Sequence, residues 1–112
     1  MAEKLDVNYT EKQVKDKLVK YLEARGYKTV LLVTTNLNGI ADVLAVKKGH
    51  TVFIEVKQKG KKPRDLQRFR LAELGEFADV CTWYDGTQDL DKLLAGEYNE
   101  HYHNTDPLDL GF

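Results

Sequence analysis

Residues 53–57 read Phe-Ile-Glu-Val-Lys, with an acid and a base two positions apart inside an apolar run, and a second acid, Asp42, precedes them. Strand side chains alternate faces, so Glu55 and Lys57 project to one side while Ile54 and Val56 project to the other. Like charges facing each other across a hairpin repel, so pairing Asp42 with Glu55 is costly unless something compensates. A divalent cation does so, because Mg2+ is typically held by one or two carboxylates together with water and substrate phosphates. Lys57, on the same side, then suits a phosphate or an attacking water. The competing interpretation is a half-solvated strand end carrying a Glu-Lys surface pair, and the spacing alone fits both.

The elements around these groups decide whether they meet. Two β-rich runs flank Lys48-Gly49-His50, which predicts a hairpin over residues 41–57. With Lys48-Gly49 as the loop, Asp42 stands opposite Glu55; with Gly49-His50 as the loop, it stands opposite Lys57. Either register gathers Asp42, Glu55 and Lys57 on one face and Val43, Ala45, Val52, Ile54 and Val56 on the other. A three-residue loop without a bulge would swap the faces.

Before the hairpin, Thr10-Glu11-Lys12-Gln13 has the pattern of a capping box. Val14, Leu18, Tyr21 and Leu22 then mark one face of a helix ending near Gly26. Residues 27–35 predict a strand, broken by Asn36-Leu37-Asn38-Gly39. After the hairpin, Pro63 suits the first turn of a helix with Leu66, Phe69, Leu71 and Leu74 apolar and Gly75 as its stop. Residues 78–84 predict a fourth strand, Asp85-Gly86 a turn, and residues 87–96 a short amphipathic helix closing at Gly96. The order αβββαβα predicts an α/β (α+β) architecture, a mixed sheet flanked by helices.

A length of 112 residues fits one domain, with 42% hydrophobic and 31% charged residues excluding a disordered chain. No apolar run reaches the roughly 20 residues of a membrane span, and the first residues contain no apolar export signal. Cys81 is the only cysteine, which excludes an internal disulfide and fits a reducing cytoplasm. Charge is unevenly spread. Residues 1–84 carry 16 Lys/Arg against 11 Asp/Glu, whereas residues 85–112 carry Lys92 alone against seven acids. Seven bases crowd into Lys57–Arg70, a density that suggests either an anionic partner such as nucleic acid or a solvated loop and helix face.

Taken together, Glu11, Gly39-Ile40-Ala41-Asp42, Glu55-Val56-Lys57 and Gln67 resemble the PD-(D/E)XK nuclease superfamily, and most closely its VRR-Nuc (virus-type replication–repair nuclease) branch. The likeness spans about residues 10–84. Ala41 departs from the proline usual before the aspartate, which removes a rigid turn residue but no ligand. The resemblance implies a restriction-endonuclease-like αβββαβ core in a nuclease domain over residues 1–96, followed by an acidic tail over residues 97–112. It implies that Asp42, Glu55 and the Val56 carbonyl bind Mg2+ or Mn2+, and that Lys57 orients or activates the water. Glu11 would hold a second metal or a bound water, and Gln67 would position groups around the site. Lys59, Lys61, Lys62, Arg64 and Arg68 would meet the DNA backbone. Small relatives of bacterial or phage type suggest a homodimer cutting branched DNA, four-way junctions first. The rivals are a flap or fork nuclease and a non-catalytic DNA-binding module of the same fold.

Taken singly, Glu11 is also a favourable acid in a first helical turn, and Gln67 also fits an exposed helical amide. Trp83 and Tyr84 suit the core better than a base-stacking platform, and Cys81 suits a buried small hydrophobe better than a reactive thiol. His101 and His103 sit in an irregular segment that offers little support for a metal site. The acidic tail fits an inert solvated end, a dock on a second subunit, or a cover over the basic groove.

Overall fold

The computed structural model describes residues 9–84 and 88–99. The elements run α1 (Glu11–Ala24), β1 (Lys28–Leu31), β2 (Val43–Lys47), β3 (His50–Lys57), α2 (Asp65–Leu74), β4 (Asp79–Tyr84) and α3 (Leu90–Leu94). This is the predicted order. The four strands form one mixed sheet in the order β1-β2-β3-β4, antiparallel from β1 to β3 and parallel between β3 and β4. A parallel neighbour requires a crossover, and α2 supplies it. The architecture matches a restriction-endonuclease-like fold. Among the described residues, no helix is long and apolar enough to cross a membrane.

Helix α1 starts where the capping box predicts: the Gln13 N–H donates to the Thr10 hydroxyl at 3.1 Å, and the Thr10 N–H donates to the Gln13 side chain at 2.9 Å. Its inner face, Val14, Leu18 and Leu22, is buried against Val43, Ala45, Val52, Ile54, Val56, Cys81 and Trp83, with Leu90 and Leu93 of α3 closing the same side. Truncating Leu18 or Leu22 to alanine would cost about 2–5 kcal/mol. The other sheet face carries a smaller cluster, Ala41, Leu71 and Val80, with Phe53 and Leu74 packed on it. Trp83 and Cys81 therefore belong to the core, as their apolar neighbours indicated.

The hairpin adopts the Lys48-Gly49 register, pairing Val43 with Ile54 and Lys47 with His50. Gly49 has φ 83°, a left-handed turn conformation that glycine enters without steric cost. Four expectations need correction. Strand β1 stops at Leu31 rather than Thr35; beyond it, Leu32 gives its N–H to the Asp42 carbonyl and the chain turns away. Helix α2 begins at Asp65 with Arg64 as the extended cap residue, so Pro63 precedes the helix instead of opening it. Its buried face is Gln67, Leu71 and Ala72, whereas Leu66 and Phe69 are only half-buried. Helix α3 is also shorter than residues 87–96. The Asp85-Gly86 turn, His101 and His103 lie outside the described residues, as does most of the acidic tail.

Candidate active site

Apolar packing on the α2 face ends with Phe53, and the next two residues of β3 on that face are Glu55 and Lys57. Both are buried, at 1% and 7% exposure. The parallel partner of Glu55 is Thr82, which shares the face and is 4% exposed. A strand normally buries charge only when it is paired, yet among the described residues neither Glu55 oxygen has a hydrogen-bond partner, and neither does the Thr82 hydroxyl. Among the described residues, the Lys57 ammonium is the cation paired with Glu55, 3.7 Å from its Oε2 and 4.0 Å from Glu11 Oε1. Glu11 thus reaches the site from the first turn of α1. The Gln58 side chain holds that turn by donating to the Tyr9 carbonyl at 3.0 Å.

Asp42 lies one residue outside the β2 ladder, a departure from the expected pairing directly opposite Glu55. Its N–H donates to the Ile54 carbonyl at 3.1 Å, and its Oδ2 accepts from the Val56 N–H at 2.8 Å. The side chain therefore takes a ladder hydrogen bond that a neighbouring carbonyl would otherwise accept, which fixes the carboxylate against the β3 backbone. The β1–β2 loop leading to Asp42 is clamped on α2. The Arg70 Nε–H donates to the Asn38 carbonyl at 2.8 Å, and Gly39, at φ 77°, lies so close to Leu66 that a Cβ would stand 2.6 Å from its Cγ. Both the backbone conformation and the space at 39 require glycine.

The electrostatics follow from this geometry. Burial first, and the charge of Asp42 second, push the Glu55 carboxyl up from 4.5 to about 8, with Lys57 pulling the other way. A carboxylate in that position becomes comfortable near neutral pH only with more positive charge beside it. Among the described residues, no three His, Cys, Asp or Glu side chains cluster as a metal cage. The unpartnered Glu55 oxygens beside Asp42 nonetheless fit a hard cation that takes few carboxylates and fills its remaining positions with water or phosphate.

The structure thus brings Glu11, Asp42, Glu55 and Lys57 together at one end of β3. Gln67 is buried on α2 at 9% exposure, not an exposed helical amide. Its Oε1 accepts the Arg64 N–H at 2.8 Å, so that oxygen caps its own helix. Lys59, Lys61, Lys62, Arg64 and Arg68 are exposed, following directly from the buried strand end. Sequence reasoning missed Thr82. The available signal was a hydroxyl residue between Cys81 and Trp83, in a strand whose alternation places it beside Glu55. Residues 8–86, well over half of the chain, match the family described as Hjc, archaeal Holliday junction resolvase. No curated protein matches the chain.

Proposed function

The chain belongs to the archaeal Holliday junction resolvase family, a PD-(D/E)XK nuclease family, and from that membership we propose that it is a metal-dependent endonuclease acting on four-way DNA junctions. The observation that carries the reading is Glu55: fully buried, without a hydrogen bond among the described residues, and held beside Asp42 and Lys57 at the end of a strand. A carboxylate so placed weakens the fold unless a ligand compensates it.

Asp42, Glu55 and the Val56 carbonyl would hold Mg2+, with Mn2+ as a substitute. Such a cation lowers the pKa of water and neutralises the charge that develops during phosphodiester hydrolysis. The chain's own contributions are separate. Lys57 brings a buried positive charge to the reacting phosphate, and Glu11 holds that ammonium from its other side. The exposed Lys59, Lys61, Lys62, Arg64 and Arg68 grip the backbone of the substrate through charge, so binding weakens steeply with salt. A homodimer would set two such sites against two strands of a junction, the symmetry that paired incisions need. The likeness of Ile54-Glu55-Val56-Lys57 and Gln67 to the VRR-Nuc branch is retained within this proposal, as is an intracellular place of action.

The test is a panel of labelled four-way junctions, flaps, forks and linear duplexes, each incubated with Mg2+, with Mn2+ and with chelator. Paired incisions confined to the junction and abolished by chelator are expected. Cleavage of flaps or forks at equal rate would move the substrate to that class. Tight binding of every branched form without a cut in either metal would leave a DNA-binding module.

A further inference from the structure

Three oxygen atoms are buried without a hydrogen-bond partner among the described residues at one spot on the sheet: both carboxylate oxygens of Glu55 and the hydroxyl of Thr82. Glu55 and Thr82 are register partners on adjacent parallel strands. The flanking residues confirm that they share a face, since Ile54, Val56, Cys81 and Trp83 all pack on the opposite side, against α1 and α3. Neighbouring strands lie about 4.8 Å apart, so modest side-chain rotations carry a hydroxyl at one position to a carboxylate at the other. A threonine at position 82 costs the fold a buried hydroxyl with nothing to bond. Valine would fill the same volume, suit a strand as well, and leave no polar atom behind.

We propose that Thr82 is a positioning residue of the cation site: its hydroxyl donates to the Glu55 carboxylate and fixes the orientation in which that carboxylate accepts a divalent cation. The inference rests on the cation reading of Asp42 and Glu55 given above. Carboxylates that ligate metals are themselves held by outer hydrogen bonds, and removing such a partner typically weakens metal binding about 10–100-fold. Tyr84 and Thr82 are also tethered through their backbones. Gln88 donates to the Thr82 carbonyl at 3.0 Å and accepts from the Tyr84 N–H. The strand is thereby pinned where the hydroxyl must stand.

The test measures uptake of Mn2+ alone, by isothermal titration and by loss of the free-ion paramagnetic signal, in wild type, Thr82→Val, Thr82→Ala, Thr82→Ser and Glu55→Gln, with Tm in chelator read alongside. Thr82→Val should weaken Mn2+ uptake about 10-fold while its metal-free Tm stays level or rises. Thr82→Ala, which keeps no methyl pair to repack, should lose uptake equally, and Thr82→Ser should retain it. Opposite signs for affinity and stability are what a purely structural threonine cannot produce. Wild-type affinity in both Thr82→Val and Thr82→Ala, with uptake abolished in Glu55→Gln, overturns the Thr82 role and leaves the cation site standing. No uptake by wild type overturns the cation reading, and the Thr82 role with it.

Discussion

Strand β3 begins and ends in polar side chains, and the two ends treat them in opposite ways. At the start, His50 lies between two partners: Tyr27 Oη is 2.6 Å from Nδ1, and Asp79 Oδ2 is 2.9 Å from Nε2. Burial, with Asp79 adding to it, raises the Tyr27 pKa, so the phenol stays protonated and serves as donor. Tyr27 and Asp79 thus engage one ring nitrogen each, leaving both satisfied. The Lys47 ammonium lies 5.2 Å above the Tyr27 ring. At the far end, Glu55 is more deeply buried than His50, yet among the described residues neither its carboxylate nor the Thr82 hydroxyl beside it has a hydrogen bond. Stability alone favours the reverse, with partners increasing as burial deepens. The hairpin end therefore satisfies its polar atoms within the chain, whereas the other end leaves buried oxygens that fit the cation proposed above.

The largest effect should come from removing charge at the unpartnered end. Glu55→Gln and Lys57→Ala should each lower junction cleavage by about 1,000-fold or more, given the several kcal/mol of charge stabilisation such groups and their cation contribute. Binding to labelled junction in chelator should change only a few-fold, because the exposed lysines remain. Cleavage assays of His50→Ala run in parallel sharpen the contrast. Equal losses of turnover at the two ends would break it.

The same carboxyl should also govern stability, with the opposite sign to activity. Its folded pKa of about 8 lies above the ordinary 4.5, so the protonated form favours the folded state. That contribution is fully present below pH 4.5 and is lost as pH rises through about 8. In chelator, wild-type Tm should therefore fall between pH 5 and pH 9, while Glu55→Gln should be flatter and more stable at pH 9, by ~5 °C or more. A wild-type curve that rises over that range would place Glu55 in a solvated setting.

Much of this was legible before any coordinates. The αβββαβα order, the Thr10 cap and the hairpin could be read because each rests on local chemistry: a hydroxyl three residues before Gln13, and Lys48-Gly49 between β-rich runs. The grouping of Asp42, Glu55 and Lys57 followed from strand alternation. What escaped depends on partners distant in sequence. Thr82 gains its meaning only from the parallel register that sets it beside Glu55, 27 positions earlier in the chain. The early end of β1 reflects the clamp of Gly39 and Asn38 on α2, a tertiary contact invisible to β-propensity. The cap that the Gln67 oxygen makes with the Arg64 N–H likewise depends on where α2 begins, which the sequence placed at Pro63.

The smallest expected effect tests the partnered end, and it is informative because it should spare catalysis. Tyr27→Phe leaves the ring and its packing but removes the donor to His50 Nδ1. His50→Ala removes both hydrogen bonds and the edge contact with Tyr27, whose ring centroid lies 5.7 Å away. Because the network is only partly buried, each neutral hydrogen bond there is worth about 1 kcal/mol, so Tyr27→Phe should lower Tm by roughly 4–8 °C, and His50→Ala by more. Cleavage measured well below those transitions should stay at the wild-type rate in both variants, because the altered groups lie at the opposite end of β3 from Glu55. A Tm unchanged by His50→Ala would mean the chain of hydrogen bonds contributes nothing to holding the α1–β1 link, the hairpin and β4 together. A normal Tm with reduced turnover would show that the two ends of the strand are coupled.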